Sequence, residues 1–396
     1  MKPNIRLIVL LLLGGAVLFI ATSTQRPAVR AEALRPVHQV NLSPLGQGVE
    51  PGVLPLLQFS GNTTLVVAFV VGNHTAGLPK LLRRGAMTMQ SRFLLQVAVI
   101  DAKTGVVLRR TEWPANRLRH SGLVFAQGSR LVLLMGDRIA LCNDNLELTK
   151  QLGLPHASEW GWRAYASFSG QNILFVSVSR RKQERCTWVW VDACHFRVVR
   201  EWSMSPFESR GVSISDSRVV FEDTSPRPRA VRTRKLLMQP LEGGTAQPVL
   251  RARYSSIHYL YPRFVTANLL FFTTGDGMSV LDLLGSRTIF RRVEAPRGPI
   301  FGLAAPAKHA ARFVVPLLDR DALGMRLDYI DIFDGHYPAH PREVKVVGGP
   351  PLAWPAWFAS APWPTWLALS PDGRLLAVME NFKTLLLFSL PRVEYR

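Results

Sequence analysis

The residues best able to do chemistry are few and scattered. His120, His156 with Glu159, Glu208 and His258 are imidazoles and carboxylates that could share a proton or a metal ion if the fold gathered them. Their spacing carries no signature, and the chain holds no G-x-S-x-G, P-loop, G-x-G-x-x-G or H-E-x-x-H. A second group, Asp331, Asp334, His336 and His340, puts its histidines four apart. Pro338 and Pro341 exclude the helix that would bring both to one face, so the segment reads as a turn between strands. No metal and no cofactor is expected. Cys142, Cys186 and Cys194 cannot all pair within one monomer and show no C-x-x-C spacing. A hairpin turning at 192–195 would leave Cys186 several strand residues from Cys194, too far for a bridge. The cysteines read as packing residues.

Charge is more informative. Among 396 residues, 48 are basic and 28 acidic, a formal net charge of +20; nine of the basic residues are lysine and 39 arginine. Guanidinium forks match carboxylate, phosphate and sulfate groups. They cluster at Arg83 and Arg84, at Arg180, Arg181 and Lys182, and at Arg227, Arg229, Arg232 and Arg234. Residues 348–366 hold five prolines with Trp354, Trp357, Trp363, Trp366 and Phe358. That composition gives either a semi-rigid aromatic platform or a plug that folds down and buries its indoles. The arginines likewise read either as a binding surface or as solvating charges in an arginine-rich chain.

The compartment follows from the N-terminus. Lys2 and Arg6 precede an apolar and small run over 7–21, after which the chain turns polar. Fifteen apolar residues are typical of a secretory signal and short of the ~18–20 that span a bilayer comfortably. Residues 1–33 are therefore a signal peptide or an N-terminal membrane anchor plus linker. The expected location is the periplasm or the exterior of a bacterium, where nucleic acid is not the partner.

Past residue 50 one phrase recurs: a short apolar strand, a tight polar turn, and a second apolar strand. The turns fall at Gly61, Gly128, Gly170, Asp216, Ala267, Ala310 and Gly373, intervals that suit four-stranded blades of about 40–50 residues with surface insertions. The last copy, Ser370-Pro371-Asp372-Gly373 between apolar strands, resembles the hairpin of WD40-like, TolB-like and YVTN-type β-propellers. The resemblance implies an all-β, seven-bladed β-propeller of four-stranded antiparallel blades over 37–396. The chain ends soon after the third strand of the seventh blade, so residues 37–42 should supply its fourth.

Antiparallel blades sort their connections. Turns between first and second strands lie on one rim; loops between second and third strands, and links between blades, lie on the other. The loops 72–92, 179–186, 223–234 and 319–326 hold 14 basic and four acidic residues, and the tryptophan-rich link shares their rim. These features point to a monomeric exported binding or scaffold protein. Its basic, Trp-bearing face would meet a protein, an acidic glycan or an anionic lipid of the cell envelope. The alternative is a propeller enzyme, a hydrolase, lactonase or quinone-dependent dehydrogenase, with its site at the channel mouth. The innermost strands offer few acids or histidines, which leans against catalysis.

Overall fold

The computed structural model describes residues 33–42, 56–72, 93–115, 121–155, 162–177, 186–204, 211–223, 233–253, 261–274, 277–293, 300–301, 304–321, 324–336, 338–347, 351–352, 366–380 and 384–391. The chain divides into a unit of Met1–Ala33 and a unit of Leu34–Arg396. The architecture below belongs to the second.

After two N-terminal strands, β1 (Ala33–Leu34) and β2 (Pro36–Asn41), the chain builds one blade after another. Blade 1 contains β3 (Leu56–Phe59), β4 (Thr64–Gly72), β5 (Phe93–Asp101) and β6 (Val106–Ala115). Blade 2 follows with β7 (Ser121–Gln127), β8 (Arg130–Met135), β9 (Arg138–Cys142) and β10 (Leu148–Gly153). The third is β11 (Trp162–Ala166), β12 (Asn172–Ser177), β13 (Cys186–Asp192) and β14 (Arg197–Met204). In the fourth come β15 (Val212–Ile214), β16 (Arg218–Asp223), β17 (Thr233–Pro240) and β18 (Gln247–Arg253). Blade 5 is β19 (Arg263–Phe264), β20 (Leu269–Thr274), β21 (Gly277–Asp282) and β22 (Arg287–Val293). Blade 6 splits its innermost strand into β23 (Ile300–Phe301) and β24 (Ala305–Pro306), both on β25 (Arg312–Asp321); β26 (Gly324–Asp334) and β27 (Arg342–Val346) complete it, and β28 (Pro351–Leu352) adds to β26. Blade 7 has β29 (Leu367–Leu369), β30 (Leu375–Met379) and β31 (Thr384–Ser389). The strands within each blade pair antiparallel and, among the described residues, there is no helix.

β2 pairs with β31, with Val40 opposite Leu385 and Gln39 opposite Leu386. The N-terminal strand thus supplies the fourth strand of the last blade, as the sequence requires. Leu34 goes further: its carbonyl accepts from Val347 N at 2.9 Å, just past β27. Innermost strands meet in order, β3 with β7, β7 with β11, β11 with β15, β15 with β19, β24 with β29, and β29 with β3. The result is a seven-bladed ring around an axis.

Alternation within each strand explains why the ring holds together. In β4, Leu65 and Val67 face the cluster shared with blades 6 and 7, while Val66 and Ala68 face blade 2. In β12, Ile173 and Phe175 face blade 2, and Leu174 and Val176 face blade 4. Second strands are covered on both faces and read as unbroken apolar runs, whereas outer strands such as β10, Leu-Thr-Lys-Gln-Leu-Gly, are largely exposed. Each fully buried aliphatic side chain stabilises by about 1.5–3 kcal/mol, so the clusters between blades carry most of the fold's cohesion.

The recurring turn has one chemistry. The Ser370 hydroxyl accepts from Leu375 N at 2.8 Å and Arg374 N at 3.1 Å and donates to Asp372 Oδ1 at 2.6 Å, while Gly373 takes φ +71°. Ser167, Ser215 and Thr266 hold the same place, accepting from Asn172 N at 3.1 Å, Arg218 N at 3.1 Å and Leu269 N at 3.0 Å. A hydroxyl ahead of the turn satisfies N–H groups that the tight bend leaves outside the ladder. Bonds between neighbouring turns then lace the rim: Gly128 N donates to Ser60 O at 2.6 Å, and Ala310 N to Pro371 O at 3.0 Å. At the join of blades 6 and 7, the buried Arg312 donates to Gly373 O at 2.7 Å and to Pro391 O at 2.6 Å.

Two details differ from the sequence reading. Asp319 and Arg326 are paired strand residues, as are Asp321 and Gly324, so β25 and β26 run on into the stretch read as a loop. Arg234 is not in a loop either; it lies within β17 opposite Ala252. In both places the ladder extends through polar residues, because backbone pairing at a blade's end needs no apolar side chain.

Candidate functional site

The strand directions define two rims. On the turn rim lie the connections from first to second strands, all short. On the loop rim, β4 ends at Gly72 and β5 begins at Phe93; β12 ends at Ser177 and β13 begins at Cys186; β16 ends at Asp223 and β17 begins at Thr233. The intervening segments carry Arg83 and Arg84, Arg180, Arg181 and Lys182, and Arg227, Arg229 and Arg232, which lie outside the described residues. So do Trp354, Trp357 and Trp363, and the acid–base candidates His120, His156, Glu159, Glu208 and His258. Of the tryptophan-rich link, its beginning and its end are described. Pro351 and Leu352 pair with Arg326 and Met325 at the loop-rim end of β26, and Trp366 is buried in the core cluster of blades 6, 7 and 1.

The group around Asp331 is structural. Asp331 is fully buried in β26 and accepts from Arg292 Nη1 of blade 5 at 2.7 Å; the same nitrogen stands 3.2 Å from Glu343. His336 and His340 are exposed in the turn before β27. Among the described residues, no three His, Cys, Asp or Glu side chains gather as metal ligands. The three cysteines are free thiols, and burial pushes that of Cys142 up to about 12.

What the structure adds is an axial channel of about 210 Å³, walled by the innermost strands of all seven blades. Its wall is mostly apolar, with Leu56, Leu123, Val212, Ile214 and Leu367 among the lining residues. Gln58, Ser167, Ser213, Tyr165 and Tyr261 contribute polar groups, and two side chains carry charge: Arg263 and Lys308. Among the described lining residues there is no Asp or Glu.

Lys308 sits in the turn between β24 and β25, at the turn-rim end of the channel. It reaches across the ring from blade 6 to blade 2, where its Nζ donates to Ala126 O at 2.6 Å and stands 4.0 Å from the centroid of the Phe125 ring. A β-bulge prepares this landing place. In β7, Leu123 pairs with Leu133 but Phe125 with Val132, so Val124 is the extra residue. The Gln58 side chain takes up the displaced backbone groups, donating to Val124 O at 3.0 Å and accepting from Ala126 N at 2.8 Å. Beneath, Gly170 at φ +72° lies so close to the Phe125 ring that a Cβ would stand 1.7 Å from Cζ. Bulge, glutamine and glycine together aim one aromatic face and one carbonyl at one ammonium group.

Burial lowers the Lys308 amine from its ordinary 10.5 to about 7. Arg263 opens β19, two residues before its turn, and lines the channel. Its side chain is half-buried, keeping some contact with solvent inside the channel, while desolvation by the protein mass around the axis lowers it to about 10. Among the described residues it has no hydrogen-bonding or ion-pair partner. Sequence reasoning missed Lys308, Gln58 and Arg263. The available signal was that Lys308 is one of only nine lysines in an arginine-rich chain, placed in a first-to-second turn.

These features define the chain as a seven-bladed β-propeller with an apolar, cation-bearing axial channel and a loop rim flanked by arginine-rich segments. No family model matches the sequence, and no curated protein matches it. Solved structures do. The chain is similar to a protein of the mitotic checkpoint complex, at 11% identity over 93% of this chain and 96% of that one, with a TM-score of 0.54. It is similar to the C-terminal WD40 domain of Sif2, at 9% identity over 91% and 99%, TM-score 0.52. Oligogalacturonate lyase in complex with manganese aligns at 13% identity over 88% and 99%, TM-score 0.51. These likenesses, to a checkpoint-complex protein, a WD40 domain and a lyase alike, show the propeller fold.

Proposed function

We propose that this protein is an exported binding or scaffold propeller whose basic loop rim engages an acidic ligand or protein partner of the cell envelope. One observation carries the reading: the strands flanking the three arginine-rich segments, at Gly72 and Phe93, Ser177 and Cys186, and Asp223 and Thr233, all end at the same rim. Guanidinium groups tethered there share a rigid frame, and several weak charge contacts then add on one partner. The apolar run over 7–21 supports export, by a cleaved signal or with that run retained as an anchor.

Binding of the full chain to polygalacturonate, and to vesicles containing phosphatidylglycerol, is measured at low and high salt. Affinity should fall as salt rises, and a variant carrying Arg180→Ala, Arg181→Ala, Arg227→Ala and Arg229→Ala should bind about tenfold or more weakly. Binding that ignores salt, or that the fourfold variant retains in full, rejects the reading. Cell fractionation with N-terminal sequencing tests export; a cytoplasmic product with residues 1–33 intact rejects that part.

A further inference from the structure

We propose that the axial channel is a binding site for a small organic oxyanion, a carboxylate or phosphate ester on an apolar body, with Arg263 gripping the anionic group and Lys308 offering a second polar contact at the turn rim. This goes beyond the rim reading and does not depend on it, since no arginine of the loop segments takes part.

Four observations converge. Arg263 lines the channel yet has no hydrogen-bonding or ion-pair partner among the described residues. Cations drawn into a protein's interior are ordinarily paired, because desolvation is costly unless a counter-charge offsets it. Next, the described lining offers no carboxylate to serve as that partner, which leaves the guanidinium open to an anion brought by a ligand. Third, both cations line the same tube, Arg263 from β19 and Lys308 from the turn after β24. The wall also presents Leu56, Leu123, Val212 and Leu367, which favour an apolar body and reject a bare inorganic ion. Finally, the volume of about 210 Å³ is below the ~300–1,000 Å³ of sites for drug-sized molecules, which limits the ligand to roughly a single ring or a short chain.

Lys308 has a second role that the ligand need not disturb. Its bond to Ala126 O and its seat over Phe125 clasp blade 6 to blade 2. An ammonium has three donors and the carbonyl uses one, so a ligand's acceptor can meet another. As the guanidinium is planar and forked, it suits the anionic end, whereas the point-like amine suits a carbonyl or hydroxyl oxygen.

The test uses the full chain with benzoate, phenyl phosphate, inorganic phosphate and, as a neutral counterpart, benzyl alcohol, read by calorimetry. Benzoate or phenyl phosphate should bind saturably at one site per chain, with benzyl alcohol and inorganic phosphate at least about tenfold weaker. Arg263→Gln should weaken that binding about tenfold or more, Arg263→Lys less, and the fourfold rim variant should leave it unchanged. No saturation by either organic anion at about 10 mM, far above useful affinity, overturns the proposal, as does equal binding by Arg263→Gln. Where Arg263→Gln does not fold, labelling decides. Pyridoxal phosphate, an anionic aldehyde, condenses with a free amine to an imine with loss of water, and borohydride reduces the imine to a stable secondary amine. Peptide mapping should find Lys308 labelled ahead of the other lysines and protected by phenyl phosphate. Label spread evenly over the lysines, or no protection, overturns the site.

Discussion

Lys308 makes the fold's stability rise with pH, opposite to the effect of a carboxyl whose pKa burial raises, as at Glu380. Its amine titrates near 7 in the folded chain and near the ordinary 10.5 when unfolded. Between these values the unfolded state binds more protons than the folded state, so stability rises with pH across the window. Below about 7 both states are protonated and the full penalty of the buried ammonium is present; above about 10.5 both are neutral and it vanishes. At about 1.4 kcal/mol per pH unit, the ceiling is about 5 kcal/mol. The Ala126 carbonyl and the Phe125 ring favour the ammonium, and water in the channel screens it, so about 2 kcal/mol is a realistic fraction. The perturbation is Lys308→Met, which keeps a flexible apolar stem and removes the charge. Urea unfolding of both proteins from pH 6 to 9.5 should show the variant's relative stability greatest near pH 6 and shrinking as pH rises. Cys142, whose thiol burial raises from 9.0 to about 12, acts oppositely above pH 9, but it is common to both proteins and cancels. A difference that stays flat across that range would refute the reasoning, because it would mean the ammonium crosses the ring at no electrostatic cost.

Two further substitutions separate local strain from ring closure. Gly170→Ala places a Cβ 1.7 Å from the Phe125 ring at φ +72°, and should cost about 2–4 kcal/mol by denaturant midpoint. Gly128→Ala, at φ +54° with nothing within 4 Å, should cost only the left-handed backbone penalty of about 1–2 kcal/mol; equal losses would deny the contact any role. Removing the residues before 43 deletes β2 with the buried Leu34, Val40 and Leu42 and leaves β31 an open edge. That chain should aggregate or melt well below one beginning at Ala33, and matching melting temperatures would deny β2 its place in the ring.

The ring was legible because its signal repeats. A hydroxyl or glycine turn between two apolar runs appears in each blade, and the hydrogen bonds of Ser167, Ser215, Thr266 and Ser370 show why the sequence must keep that chemistry. Closure was legible too, since residues 37–42 follow directly on the N-terminal segment and remain to complete the blade whose third strand is β31, as their pairing shows. The ends of strands were not. Arg234 and the strand residues at Asp319–Asp321 and Gly324–Arg326 look like loop because they are charged and polar, yet a ladder needs only backbone partners, and pairing of that kind leaves no apolar period in the sequence.

The channel was illegible for a different reason: it is made by short stretches from seven segments distant in sequence, and its decisive features are not side-chain types. The landing site for Lys308 exists because β7 carries one residue too many, and the cost of that bulge is met by Gln58 of another blade, 66 and 68 residues away in sequence from the groups it bonds. Nothing in the stretch from Leu123 to Gln127, taken as a string of residue types, would reveal it, for Leu123, Val124 and Phe125 read as ordinary strand in any register. Sequence search for acids and histidines therefore looked for the wrong residue type. In a chain with 39 arginines, whose charge is effectively permanent, a lysine held across the axis is the group whose protonation burial can change near neutral pH. Chemistry at this axis is thus a matter of which cation the fold isolates, and the rim proposed to carry the arginine-rich segments would be a separate surface governed by screening.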